Sequence, residues 1–101
     1  MLAVIYRWKL RDGVTEEAWL KNWSDGTKYT HQTYGSLGSS LHRAADGTFW
    51  AYARWPSREQ LEKMRTDSDA GTKPYSNKSF VEQVGEPITL DLLEDQLKFS
   101  K

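Results

Sequence analysis

The chain has 101 residues with fourteen basic and fourteen acidic side chains, so it is long enough for one hydrophobic core and carries no net field to attract a polyanion or an anionic bilayer. Nucleic acid and membrane are therefore not expected partners, and the absence of cysteine excludes a disulfide scaffold, an iron–sulfur cluster and a thiolate zinc site. Five Trp, five Tyr and three Phe supply large apolar area for a core or for a ligand pocket, two uses that composition alone does not separate.

Residues 1–101 read as a single domain with no repeat, low-complexity tract or linker. The apolar run Leu2 to Tyr6 is broken by Arg7, too early for a signal sequence or a membrane span, and the expected address is cytoplasmic. Leu2, Val4, Tyr6, Trp8 and Leu10 alternate with Ala3, Ile5, Arg7 and Lys9, which predicts a strand whose more apolar face meets helices. Arg11-Asp12-Gly13 is a turn. Thr15 then reads as an N-cap, with Glu16 and Glu17 in the first turn and Val14 and Trp19 spaced as a hydrophobic staple. Trp19, Trp23, Thr27, Thr30 and Tyr34 continue one helical face until Gly35, and Gly26 weakens the middle.

Gly38 to Ala44 predicts a second strand, Ala45-Asp46-Gly47 a hairpin turn, and Thr48 to Trp55 a third strand with apolar residues on both faces. Pro56 ends it, and Ser57-Arg58-Glu59-Gln60 has the form of a capping box opening a helix with Leu61 and Met64. Thr66 to Lys73 reads as a loop and Pro74 to Val84 as one or two irregular helical turns, before Gly85 and Pro87 break the pattern. Ile88, Leu90 and Leu92 alternate in a last strand. The tail from Glu94 onward offers Leu97 and Phe99 as contacts for a partner. The resulting βαββαβ order is the α+β, ferredoxin-like arrangement of an antiparallel sheet with both helices on one face. Its other face would carry Ile5, Trp50 and Tyr52, and covering them by pairing with a second copy predicts a homodimer.

Several stretches resemble the antibiotic biosynthesis monooxygenase superfamily: the opening strand Leu2 to Leu10, Gly35 before the second strand, and the run from Phe49 through Trp55 to Ser57-Arg58-Glu59-Gln60-Leu61. The resemblance implies a dimeric α/β barrel. Its activities range over cofactor-free oxygenases of phenolic or quinol-like substrates, haem-degrading enzymes and proteins with no assigned reaction, and fold does not choose among them. The haem-degrading branch would need a histidine where this chain has Met64 and an asparagine on the first strand, which has none, although Trp55 matches; haem degradation is not expected. For a cofactor-free oxygenase the deprotonated substrate is itself the reductant, so no metal and no other cofactor is expected.

The candidate site residues each have a plainer use. Trp55, at the junction of the third strand and second helix, is a pocket wall by family position or a core aromatic. His31 and His42 titrate near neutrality and could accept a substrate proton, but His31 also suits a helix C-terminus and His42 a solvent-facing strand. Tyr6 and Trp8 line either a substrate cavity or the core, and Asn22 either orients a substrate or sits on the surface. Two distant histidines do not make a metal site. Gly-x-Ser-x-Gly, phosphate-loop and dinucleotide motifs are absent. The expectation is a cofactor-independent monooxygenase of a small aromatic, quinol or polyketide-like substrate; the alternative is a non-catalytic dimer of the same fold that binds a small apolar ligand or serves as an accessory protein. A histidine inside a cavity would favour the first, and exposed histidines with a filled interior the second.

Overall fold

The computed structural model describes residues 1–93; Leu97 and Phe99 lie outside the described residues. The elements are β1 (Leu2–Leu10), α1 (Glu16–Tyr34), β2 (Gly38–Arg43), β3 (Phe49–Trp55), α2 (Arg58–Asp69), β4 (Val81–Gln83) and β5 (Ile88–Asp91). All sheet pairings are antiparallel, in the order β2-β3-β1, with β4 and β5 both on the far edge of β1. This is the ferredoxin-like arrangement, with its last strand divided in two.

Local chemistry sets the element ends. The Thr15 side chain accepts a hydrogen bond from the Ala18 N–H at 3.1 Å, with Glu16 and Glu17 beside it in the first turn of α1, so a free helix N–H is satisfied and the dipole meets negative charge. At the other end Gly35 takes the left-handed conformation (φ 77°) and donates its N–H to the His31 carbonyl. Ser57 caps α2 by accepting from the Gln60 N–H. The Gln60 side chain departs from the usual capping box: its oxygen accepts from the Ser57 hydroxyl, and its nitrogen donates to the Tyr34 carbonyl at 3.1 Å. One residue thus closes the start of α2 and the end of α1.

The sequence reading needs two corrections here. α2 continues through Thr66 to Asp69, a stretch expected to be loop; the Thr66 hydroxyl donates to the Glu62 carbonyl one turn back. Residues 81–83, expected within irregular helical turns, form β4 instead, because Val81 buries against the second core cluster and pairs with Leu10.

The pairing register assigns the faces. Leu2, Val4, Tyr6, Trp8, Phe49, Ala51, Ala53 and Trp55 share the helix-covered face, while Ile5, Arg7, Trp50, Tyr52, Arg54, Ile88 and Leu90 share the other. Under the helices the core forms two clusters. The first joins Leu2, Val4, Tyr34, Trp55 and Leu61; the second joins Trp8, Trp19, Phe49, Ala51 and Val81. Tyr6 packs against both, so the seam between them lies over the middle of β1.

Candidate functional site: the Tyr6 seam

Alternation along β1 aims Tyr6 at the helices, between Val4 and Trp8, and its ring stacks parallel to that of Trp8 at 5.2 Å. Around it, α1 contributes Trp23 and Tyr29, which pack on the second and first clusters respectively, and α2 contributes Met64. The i, i+4 spacing from Leu61 brings Arg65 to the edge of this layer, where it donates to Thr89 Oγ1 on β5 at 3.0 Å and pairs with Glu62 at 3.0 Å. Burial pushes the Tyr6 pKa up, and the nearby Arg65 charge partly offsets it. Like any tyrosine, Tyr6 is protonated at neutral pH and can donate, and the half-buried guanidinium nearby favours an anion.

A strap of residues 70–80 joins α2 to β4 by crossing α1. Asn22 Nδ2 holds it, donating to the Ser76 carbonyl at 3.3 Å and to Asn77 Oδ1 at 3.1 Å. In the fold, Asn22 thus ties the strap to α1. Lys73 in the strap is half-buried, and burial pulls its pKa down.

The other predicted residues fall elsewhere. Trp55 is 1% exposed and wedged among Leu2, Val4, Tyr34 and Leu61, so it fills the core where a pocket wall was expected. Trp8 is likewise a core residue, edge-on to Trp19 at 5.3 Å. His31 is exposed, and its Nδ1 donates to the Ser36 carbonyl at 2.6 Å, tying the last turn of α1 to the loop before β2. His42 is also exposed; the β2–β3 register pairs it with Trp50, away from Tyr6, and it borders a shallow cleft of 160 Å³ with Leu20, Leu41 and Phe49. Among the described residues no three His, Asp or Glu side chains come together as a metal site, and no helix is long and apolar enough to cross a membrane. Sequence reading missed Arg65 and the strap. The spacing of Arg65 from Leu61 was the available signal for the first; nothing local announces the second.

No protein-family model and no curated protein matches the amino-acid sequence. Solved structures do match in shape. The chain is similar to SnoaB, a cofactor-independent oxygenase from Streptomyces nogalater, with a TM-score of 0.73 at 11% identity over 96% of this chain and 97% of that one. It is similar to Rv0793 from Mycobacterium tuberculosis, with a TM-score of 0.69 at 20% identity over 94% and 97%. A protein of Nitrosomonas europaea assigned to the antibiotic biosynthesis monooxygenases gives 0.68 at 12% identity over 93% and 100%. At these identities the likeness is one of fold, and the fold is that of the antibiotic biosynthesis monooxygenase-type proteins.

Proposed function

We propose that this chain, built on the antibiotic biosynthesis monooxygenase fold, is a cofactor-independent oxygenase of a small aromatic, quinol or polyketide-like substrate seated at the Tyr6 seam. The observation that carries the reading is the placement, in one aromatic layer, of the Tyr6 hydroxyl between the two core clusters with the half-buried Arg65 guanidinium at its edge. Oxygen reacts sluggishly with neutral closed-shell organic molecules, and a substrate anion gives up an electron far more readily. Arg65 would stabilise that anion, and Tyr6 would donate a hydrogen bond to its oxygen. Both act where water is scarce, which strengthens them. The substrate's proton leaves to water at the partly exposed edge of the seam beside Arg65. The anion passes one electron to O2, the radical pair joins at carbon as a peroxide, and loss of water leaves a carbonyl. A CH2 group and O2 thus become C=O and H2O; all four electrons come from the substrate.

Two observations favour the second reading, a non-catalytic ligand-binding or accessory protein: both histidines are exposed, and the interior is densely packed with aromatic rings. Oxygen uptake with anthrone-like, quinol and catechol substrates separates the two. On the oxygenase reading, uptake exceeds the spontaneous rate and falls about a hundredfold in Arg65→Gln, by less in Tyr6→Phe, and survives in His31→Ala and His42→Ala. Uptake that is the same with and without protein across the panel leaves the binding reading.

A homodimer joined through the uncovered sheet face completes the proposal. Trp50, Ile88 and Leu90 there are 39%, 49% and 43% exposed, and mass measured by light scattering at two concentrations tests it.

A further inference from the structure

The strap is tied at both ends and held differently in the middle. Thr72 donates from its N–H and its hydroxyl to the Asp67 carbonyl, each at 2.9 Å, and the Lys78 carbonyl accepts from Arg11 Nε at 2.6 Å. Between these anchors lies Tyr75, the only non-glycine residue with positive φ (60°) among those described, a conformation that bulky side chains avoid. It rests on Gly26, where a Cβ would come within 3.2 Å of Tyr75 Cβ and 3.5 Å of its carbonyl oxygen. The Tyr75 ring is 45% exposed and sits 6.0 Å from that of Tyr29, which packs on the cluster shared with Tyr6 and Met64. Gly26 costs α1 helix propensity and Tyr75 costs backbone strain. Together they place one aromatic ring against the side of the seam without sinking it into the core.

We propose that Tyr75 is the gate residue of the Tyr6 seam: residues 73–75 lift off Gly26 while Asn22 keeps Ser76 and Asn77 in place, and a flat aromatic ring of the bound ligand takes the place of the Tyr75 ring against Tyr29. This rests on the seam being a ligand site. Strain in the closed strap keeps closed and open forms near each other in free energy, so a modest differential affinity shifts the population. Exchanging one ring for another keeps the Tyr29 contact and selects flat aromatic ligands over aliphatic ones of equal size.

The test uses 1-anilinonaphthalene-8-sulfonate, an aromatic anion, with stopped-flow fluorescence on the wild type, Gly26→Ala and Tyr75→Ala, and with hydrogen exchange across residues 70–80. Gly26→Ala places a methyl group 3.2 Å from Tyr75 Cβ, so the strap must give by a few tenths of an ångström there, while helix propensity improves and α1 stays folded. Both variants are expected to raise the association rate about fivefold or more, as a larger open fraction requires. Bound dye should speed exchange at Lys73 and Tyr75 and leave Thr72 and Lys78 slow. Equal association rates in all three proteins, with exchange showing the strap released in Gly26→Ala, overturn the gate while the seam still binds. If the dye binds none of them, or if in a Trp50→Glu background, which removes binding at the uncovered face, Met64→Trp leaves dye binding unchanged, the site reading fails and the gate with it.

Discussion

The two faces of the sheet carry similar side chains and treat them differently. On the helix-covered face Tyr6, Trp8, Phe49 and Trp55 are packed under α1 and α2. On the other face the rings are covered by the sheet's own arginines: the Arg7 guanidinium lies 5.2 Å from the Trp50 ring centre, and that of Arg54 lies 5.8 Å from Tyr52. An arginine stem lies on apolar surface while its charge stays hydrated. The covered face thus holds the fold together, and the uncovered face keeps apolar area partly exposed beside arginine side chains.

The sharpest contrast comes from two tryptophans of β3. Trp55→Ala should destabilise by about 3–5 kcal/mol, since it empties a fully buried site, read as a drop in the urea midpoint. Trp50→Glu, on the other face, should leave monomer stability within about 0.5 kcal/mol and, on the proposed dimer, raise the dissociation constant about a hundredfold, the effect expected of a tryptophan at the centre of an interface. Equal effects of the two on folding would erase the distinction between the faces.

A smaller effect probes the helix layer. Tyr34 donates its hydroxyl to Asp67, which also pairs with Lys63 at 3.2 Å. The hydrogen bond to Asp67, above all, raises the Tyr34 pKa; the same bond, helped by Lys63, lowers that of Asp67. The carboxylate's contribution is present above its unfolded pKa, near 4, and is lost as pH falls through its lower folded value. The tyrosine's contribution is full below its unfolded pKa, near 10, and fades as pH rises toward its higher folded value. Tyr34→Phe should cost about 1 kcal/mol at neutral pH and flatten both flanks of the stability–pH curve, measured by denaturation from pH 2 to 11. The smallest change returns to the uncovered face: Arg7→Ala should cost about 0.5 kcal/mol and increase dye binding to the monomer by uncovering Trp50.

What was legible in the sequence follows the same division between local and distant causes. Alternation along β1 and β3, the Thr15 and Ser57 caps, the Gly35 stop and the Asp46-Gly47 turn are written in neighbouring residues, and each element stands where those signals put it. The end of α2 was not legible because Thr66 to Asp69 is polar and offers no periodicity; packing of Leu61 and Met64 and the Thr66 back-bond hold it helical. β4 was not legible because three residues with one buried valine carry no pattern, and their state is decided by pairing with Leu10, 71 positions before Val81. The histidines drew notice for their chemistry, which says nothing of which face they occupy. Alternation did fix the face of Tyr6, which lies under the helices as expected. Gly26 was noticed only as a weakness of α1, since the residue that needs it bare, Tyr75, lies far along the chain.

The division of the edge strand into β4 and β5 also bears on how this chain can change. Between residues 83 and 88 of the edge lie four residues, facing only two between residues 5 and 8 of β1, and the excess includes Gly85 at φ 74°, where a Cβ would meet the Arg7 guanidinium at 2.9 Å. An even excess keeps every later side chain on its own face, and an odd one would exchange them. Over generations, insertions and deletions at positions 84–87 should therefore be admitted in pairs: a single residue gained there would turn Ile88 and Leu90 toward the helices and Thr89 outward, stripping Arg65 of its anchor.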